Sequence, residues 1–123
     1  MGEGLPSSGK ASTYSDFFIG KQTSSGETYA HAGFTAALLP RARWYAVPMG
    51  TRLKLTRESR SIVVKVNDRG AGDGSMERVL DLSRAAYAYL LNRPADSITD
   101  ANASLITLSA IEQVPATTVL GPK

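Results

Sequence analysis

The sequence predicts a mainly β chain, a small barrel with one inserted helix. Three observations lead there. Apolar residues alternate with period two in several short runs. One stretch, about residues 83–92, carries helix start and stop signals around an apolar face. The 123 residues, 42% hydrophobic and 20% charged, make one domain with a single core.

The elements follow in chain order. Residues 1–8 are rich in Gly, Ser and Pro and are expected to be flexible, as is the tail 115–123, leaving residues 9–114 as the domain. Lys10 to Tyr14 reads as the first strand. Thr51 to Thr56 sets Leu53 and Leu55 on one face and Arg52 and Lys54 on the other. Ser61 to Asn67 sets Ile62, Val64 and Val66 on one face, and Arg57-Glu58-Ser59-Arg60 is the hairpin link between these two strands. Ser83 is the expected helix cap, Leu82 and Tyr87 the staple across it, and Asn92 with Pro94 the stop. Ala86, Leu90 and either Tyr87 or Leu91 form the helix's buried face. Ser104 to Ile111 is read as one last strand burying Ile106, Leu108 and Ala110.

Composition excludes several kinds of chemistry. There is no cysteine, hence no disulfide, thiolate nucleophile or lipid-acceptor thiol, and the single histidine, His31, argues against a zinc site. No apolar run approaches the ~20 residues that span a bilayer. The start Met1-Gly2-Glu3-Gly4 has no basic stretch followed by an apolar core and does not read as a signal peptide. Asp73-Gly74 lacks the spaced carboxylates of an EF-hand, and no P-loop or G-x-S-x-G elbow occurs; no metal or cofactor is expected. Net charge is +3 and uneven: residues 41–69 carry eight basic side chains against Glu58 and Asp68, a local +6. Such a stretch is either an anion-binding surface or a solvated strand face. It comes without a helix-turn-helix or aromatic RNA-binding signature, so nucleic acid is not the expected partner.

The most informative stretch is Asn67-Asp68-Arg69-Gly70, a carboxylate at the end of a strand beside a cation and a turn glycine. From spacing alone Asp68 either caps its own turn or serves as an acid/base. Its neighbours add context. Gly9-Lys10-Ala11-Ser12-Thr13-Tyr14 resembles an opening strand, and Gly20-Lys21-Gln22-Thr23-Ser24-Ser25-Gly26-Glu27 resembles G-x-x-T-A-x-G-E. Thr35-Ala36-Ala37 resembles the start of T-A-A-H, and Val47-Pro48-Met49-Gly50-Thr51 resembles L-P-x-G-T. Val66-Asn67-Asp68-Arg69-Gly70 resembles V-N-D-R-G-P, and Leu80-Asp81-Leu82-Ser83-Arg84-Ala85-Ala86 resembles I-D-L-S-x-A-A. Together, over residues 9–112, these resemble the rare lipoprotein A (RlpA) family, related to expansin and barwin-like domains.

That resemblance implies a six-stranded double-psi β-barrel acting on peptidoglycan glycan strands in the bacterial cell envelope or periplasm; a monomer is expected. It implies lytic transglycosylation with Asp68 as the acid/base, an activity that needs no paired nucleophilic carboxylate. Glu27 would lie in the same groove and tune Asp68, since neighbouring carboxylates push one another toward the neutral form. Asp81 would lie near the groove or simply favour a helix start, and Arg69 would pair with Asp68 or Asp81 or meet substrate. One departure bears on activity: Leu38 stands where the family usually has histidine, and leucine has no polar atom with which to position an aspartate. His31 fills that gap only if its loop folds toward Asp68. The alternative is therefore a non-catalytic, expansin-like module that binds cell-wall polysaccharide.

An extra segment after Leu38 contains Arg41-Ala42-Arg43-Trp44-Tyr45. Two guanidiniums and two aromatic rings suit an anionic, peptide-free glycan, and equally Trp44 and Tyr45 suit the role of a barrel plug. If the segment is a groove wall, Arg41→Ala with Arg43→Ala weakens binding to peptide-stripped glycan and flattens its salt dependence in a pull-down; unchanged binding refutes it.

Overall fold

A computed structural model describes residues 5–42, 46–70 and 78–123. Eight strands run through them: β1 (Gly9–Thr13), β2 (Thr35–Leu38), β3 (Arg52–Arg57), β4 (Arg60–Arg69), β5 (Arg78–Leu82), β6 (Ile106–Leu108), β7 (Ala110–Val114) and β8 (Gly121–Pro122). One α-helix, α1 (Arg84–Leu91), follows β5. The strands pair in the order β6-β1-β5-β2-β4-β3-β7. The two ends of that order, β6 and β7, flank Ser109 in one stretch of chain, so the wall is a nearly closed barrel, built of eight short strands where six were expected. β8 lies outside that path, against β4.

Alternation accounts for the antiparallel part. β3 and β4 pair from Arg52↔Lys65 to Arg57↔Arg60 around Glu58-Ser59, the expected hairpin. Leu53, Leu55, Ile62, Val64 and Val66 all reach the core, beside Leu38, Leu80, Leu82, Leu90 and Leu108. The expected last strand, 104–111, is instead two. Ser109 donates its backbone N–H to Thr56, breaking the alternation. Past that break Ile111 is buried and Ala110 only half-buried, where strict alternation from Ile106 and Leu108 would bury Ala110. Residues 115–123, read from sequence as a tail, place β8 on β4 through Ile62↔Pro122 and Val63↔Gly121. Arg52 also donates to the Thr118 carbonyl at 2.5 Å.

The parallel pairs are what the local pattern did not contain. β1 runs parallel to β5, and β2 runs parallel to β4. Each pair slips by one residue. Ala36 faces Val66 but Ala37 faces Asp68, leaving Asn67 as a bulge. Lys10 faces Arg78 but Ala11 faces Leu80, leaving Val79 as a second.

α1 packs Ala86, Tyr87, Ala88 and Leu90 inward, with Leu91 only half-buried. Ser83 stands at the N-cap position but makes no capping hydrogen bond. Its hydroxyl instead donates to the Gly33 carbonyl at 2.7 Å and accepts from the Thr35 N–H at 3.2 Å, tying the entry of β2 to the helix start. The first helical donors go to the Tyr29 hydroxyl, 3.2 Å from Arg84 N, and to the His31 carbonyl, 2.9 Å from Ala85 N. Asn92 ends the helix in the left-handed region, φ +58°, as expected, and Arg57 and Arg60 donate to the carbonyls of Leu90 and Tyr89.

Gly70 shows how tightly the end of β4 is packed. Its N–H donates to the Leu38 carbonyl at 2.8 Å, and a Cβ there would collide with buried Leu39. Gly70→Ala should cost about 1–3 kcal/mol in urea unfolding, the range for overpacking. Val119→Ala, at an exposed position, should change stability by under ~0.5 kcal/mol.

Candidate functional site

Asp68 is a strand residue, not a turn residue, because β2 extends β4 to Arg69. The bulge at Asn67 decides which way it points. Val64 and Val66 face the core, and unbroken alternation would send Asp68 after them. The slip brings Asp68 level with Ala37, whose side chain packs away from the core against Tyr14 and Tyr29. The same level continues through Asp81 on β5 and Ser12 on β1. A row Asp68, Ala37, Asp81, Ser12 thus crosses four strands on one face. The two carboxylate-bearing backbones lie two strand spacings apart, about 10 Å.

Asp68 is half-buried and held at both oxygens. Oδ1 accepts from the Ser24 N–H and the Ser24 hydroxyl, both at 2.8 Å, and from the Arg69 N–H at 2.9 Å. Oδ2 accepts from the Tyr14 hydroxyl at 2.6 Å. Tyr14 is buried, and burial first, then the hydrogen bond to Asp68, pushes its phenol well above the ordinary value of 10.0. Tyr14 therefore keeps its proton and serves as a neutral partner to the carboxylate. Its ring stacks on Tyr29 at 4.2 Å, and buried Arg84 donates to its backbone carbonyl at 2.7 Å. Arg84 also bonds the Ile98 carbonyl and Asp100, so Tyr14 is fixed from behind.

Glu27 follows Gly26, which takes φ +92° in the turn. Its carboxylate is held by Lys65 Nζ at 2.7 Å and Asn67 Nδ2 at 3.1 Å, not by Asp68. The hydrogen bond from Lys65, then that from Asn67, lowers its pKa. The expected mutual raising of two carboxylates does not occur at Glu27, whose carboxylate meets a cation and an amide instead. Asp81 is held by Ser12 and by Arg78 Nη1 at 3.0 Å. Arg78 and Asp81 are three apart on a strand and share a face only because Val79 bulges between them. Arg69 donates from Nη2 to the Val47 carbonyl at 2.9 Å. A cleft of about 470 Å³ opens at the Ser12 end of the row, lined by Ser12, Tyr14, Arg78, Arg84, Asp100 and Ser104.

The remaining sequence candidates fall elsewhere. Leu38 lies fully in the core, on the opposite face from Ala37. His31 turns to Tyr29 and Asp16, at 2.6 and 2.9 Å, and does not fill the gap beside Asp68. Arg43, Trp44 and Tyr45 lie outside the described residues, as does Asp73-Gly74; Arg41 lies in the short turn Pro40–Ala42, its side chain undescribed. Among the described residues Tyr14 and Ser24 are the side chains that bond Asp68, and neither is a candidate from sequence. Tyr14 sits in the opening-strand motif, and Ser24 stands where G-x-x-T-A-x-G-E has alanine, a departure that was the available signal.

The Glu27–Lys65 pair sets a pH dependence. A carboxyl whose folded pKa lies below its ordinary 4.5 contributes stability above that value and loses it as pH falls through the folded pKa. Between neutrality and about pH 3 the urea midpoint of the wild type should therefore fall further than that of Glu27→Gln. Equal falls would mean that the pair contributes nothing.

Comparison with known proteins agrees with this architecture. The "Streptomyces papain inhibitor (SPI)" superposes with a TM-score of 0.61 at 22% identity, over 90% of this chain and 99% of that one. An expansin of Clavibacter michiganensis superposes with a TM-score of 0.61 at 24% identity, over 92% of this chain and 52% of that one. Both likenesses concern the fold, a double-psi β-barrel. The endolytic peptidoglycan transglycosylase RlpA of Neisseria meningitidis serogroup A is 39% identical over 82 residues, 67% of this chain and 32% of that protein. Its namesake in Campylobacter jejuni is 41% identical over 89 residues, 71% of this chain and 30% of that protein. The chain thus spans about a third of the length of these curated relatives. The lytic transglycolase family profile matches residues 6–102, and with these motifs on this barrel the chain belongs to that family, as an RlpA-like double-psi β-barrel domain.

Proposed function

We propose that this domain binds the glycan strands of peptidoglycan in the bacterial cell envelope and cleaves them by lytic transglycosylation, with Asp68 as acid and then base. The observation that carries the reading is the asymmetric holding of Asp68. Among the described residues, Oδ1 is occupied by two backbone N–H groups and a hydroxyl, whereas Oδ2 meets the Tyr14 hydroxyl alone. A backbone N–H only donates, so a proton on Asp68 resides on Oδ2. The Tyr14 hydroxyl then accepts from it, and donates again once the carboxylate forms.

The reaction balances on this one oxygen. Oδ2 gives its proton to the glycosidic oxygen as the bond from MurNAc C1 to that oxygen breaks. The C6 hydroxyl of the same MurNAc attacks C1, forming the C1–O6 bond, and its proton passes to Oδ2. No water enters, and the products are a 1,6-anhydro-MurNAc end and a free GlcNAc hydroxyl. Tyr14 and Ser24 orient Asp68 in this chain, where the family usually supplies a histidine and Leu38 is turned into the core. Glu27, held ionised by Lys65 and Asn67, stays a carboxylate and serves as an acceptor for substrate hydroxyls. Asp81 and Arg69 are proposed substrate contacts at the far and near ends of the row. Family membership and the name of the relatives support the substrate class.

One observation favours a second reading, an expansin-like module that binds glycan without cleaving it. Leu38 supplies no polar partner, and every hydrogen bond described at Asp68 comes from Tyr14, Ser24 or its own neighbour. One incubation separates the two: purified peptide-free glycan strands, followed by mass spectrometry of the ends. The wild type should release 1,6-anhydro ends, Asp68→Asn should lower the rate by about 100-fold or more, and Tyr14→Phe should fall between. Strands retained by the protein but never cut would leave the binding module as the function.

A further inference from the structure

Among the described residues four large apolar side chains are well exposed, Phe17, Phe18, Ile19 and Val119, and three of these are consecutive. An isolated exposed apolar residue is ordinary; a cluster at the lip of a site marks a surface that something covers. This cluster lies on the short 3-10 turn Asp16–Phe18 and the residue after it, between Tyr14 and Ser24 in the chain. Both of those flanking residues bond Asp68.

The ledge is fixed and continuous with the site. Phe18 meets the Tyr14 ring edge-to-face, centroids 5.5 Å apart, and Phe17 meets Phe18 the same way at 5.2 Å. A run of rings therefore leads outward from the Asp68 carboxylate: Tyr14, Phe18, Phe17. Backbone hydrogen bonds hold the turn, from Phe18 to Ser15, Ile19 to Asp16, Gly20 to Tyr29 and Lys21 to Phe18. Phe17, the outermost ring, is 69% exposed. Lys21 Nζ stands 4.5 Å from its centroid and makes no ion pair among the described residues.

We infer that Phe17, Phe18 and Lys21 form an outer subsite for one pyranose ring of a carboxylate-bearing glycan whose strand continues to Asp68. The inference rests on the glycan reading proposed above and adds to it where the strand is gripped and by what. A pyranose presents a face of C–H groups, and a fixed aromatic ring covers it at small entropic cost. The Lys21 ammonium meets the carboxylate of the same or the adjoining sugar. A bilayer is the competing occupant of a Phe-Phe-Ile tip, and the surroundings disfavour it. Phe17 and Phe18 continue ring by ring from Tyr14, which bonds Asp68, so the ledge is an extension of that site and not a separate tip.

The test uses the whole chain and two probes: purified peptide-free glycan strands, and vesicles of phosphatidylglycerol and phosphatidylethanolamine. Phe17→Ser is the main variant because its ring is the least packed, and an unchanged melting temperature certifies its fold. The expected result is about tenfold weaker glycan binding for Phe17→Ser, restored by Phe17→Tyr. Lys21→Gln should reduce the salt dependence of binding. Glycan binding by Phe17→Ser equal to wild type overturns the subsite and leaves the proposed function standing. Vesicle binding that disappears in Phe17→Ser, with glycan binding unchanged, assigns the ledge to a membrane and also overturns it. A wild type that holds no glycan overturns both readings.

Discussion

The structure turns on the one-residue slip between β2 and β4. A strand shows alternate residues to alternate faces, so Val64, Val66 and residue 68 would all point inward if β4 were regular. An aspartate there would be a charge inside an aliphatic core, at a cost of several kcal/mol. The bulge at Asn67 reverses the parity once, so the core receives Val66 and the outer face receives Asp68. The companion slip at Val79 does the same for β5, where Leu80 goes inward and Arg78 and Asp81 share the outer face. Each parallel pair carries one bulge; the one in β4 brings Asp68 level with Ala37, and the unbroken β2–β5 register sets Asp81 on the other side of Ala37.

The surrounding hydrogen bonds follow from that placement. Lys65, Asn67 and Asp68 all reach the turn 20–29 because the bulge brings an odd and an even position to one side. That turn answers with opposite chemistry at its two carboxylate contacts. Glu27 meets a cation and stays ionised, whereas Asp68 meets a neutral phenol and a serine. The two carboxylates thus differ in the partners that hold them. Arg84, buried behind Tyr14, connects the same arrangement to the start of α1. Removing polar partners from this region would disturb the helix as well as the site.

Much of the antiparallel frame was readable from local pattern. Leu53 and Leu55 against Ile62, Val64 and Val66 carry a period that only a hairpin satisfies, and Asn92 marks a helix end by the left-handed backbone it tolerates. The motif order marks Asp68, Glu27 and Asp81 among the acidic residues. Ser83 shows where the local rule stopped. Its residue type suits a cap, but the open Gly33 carbonyl and Thr35 N–H beside it compete for the same hydroxyl and win. Ser109 is similar: nothing in its neighbours signals the bend that lets one stretch pair with both β1 and β3.

Strand faces, the hairpin and the helix ends rest on residues within a few positions of one another, and their periodicity survives in any tertiary context. The family pattern added the order of the motifs and the barrel they build. The parallel pairings, the two bulges and the partners of each carboxylate belong to the assembled chain. Tyr14 and Asp68 are 54 residues apart, Lys65 and Glu27 are 38 apart, and Ser12 and Asp81 are 69 apart. No local spacing encodes such meetings, because they depend on which strand edges remain open once the hairpin has formed. Only closure of the barrel decides them.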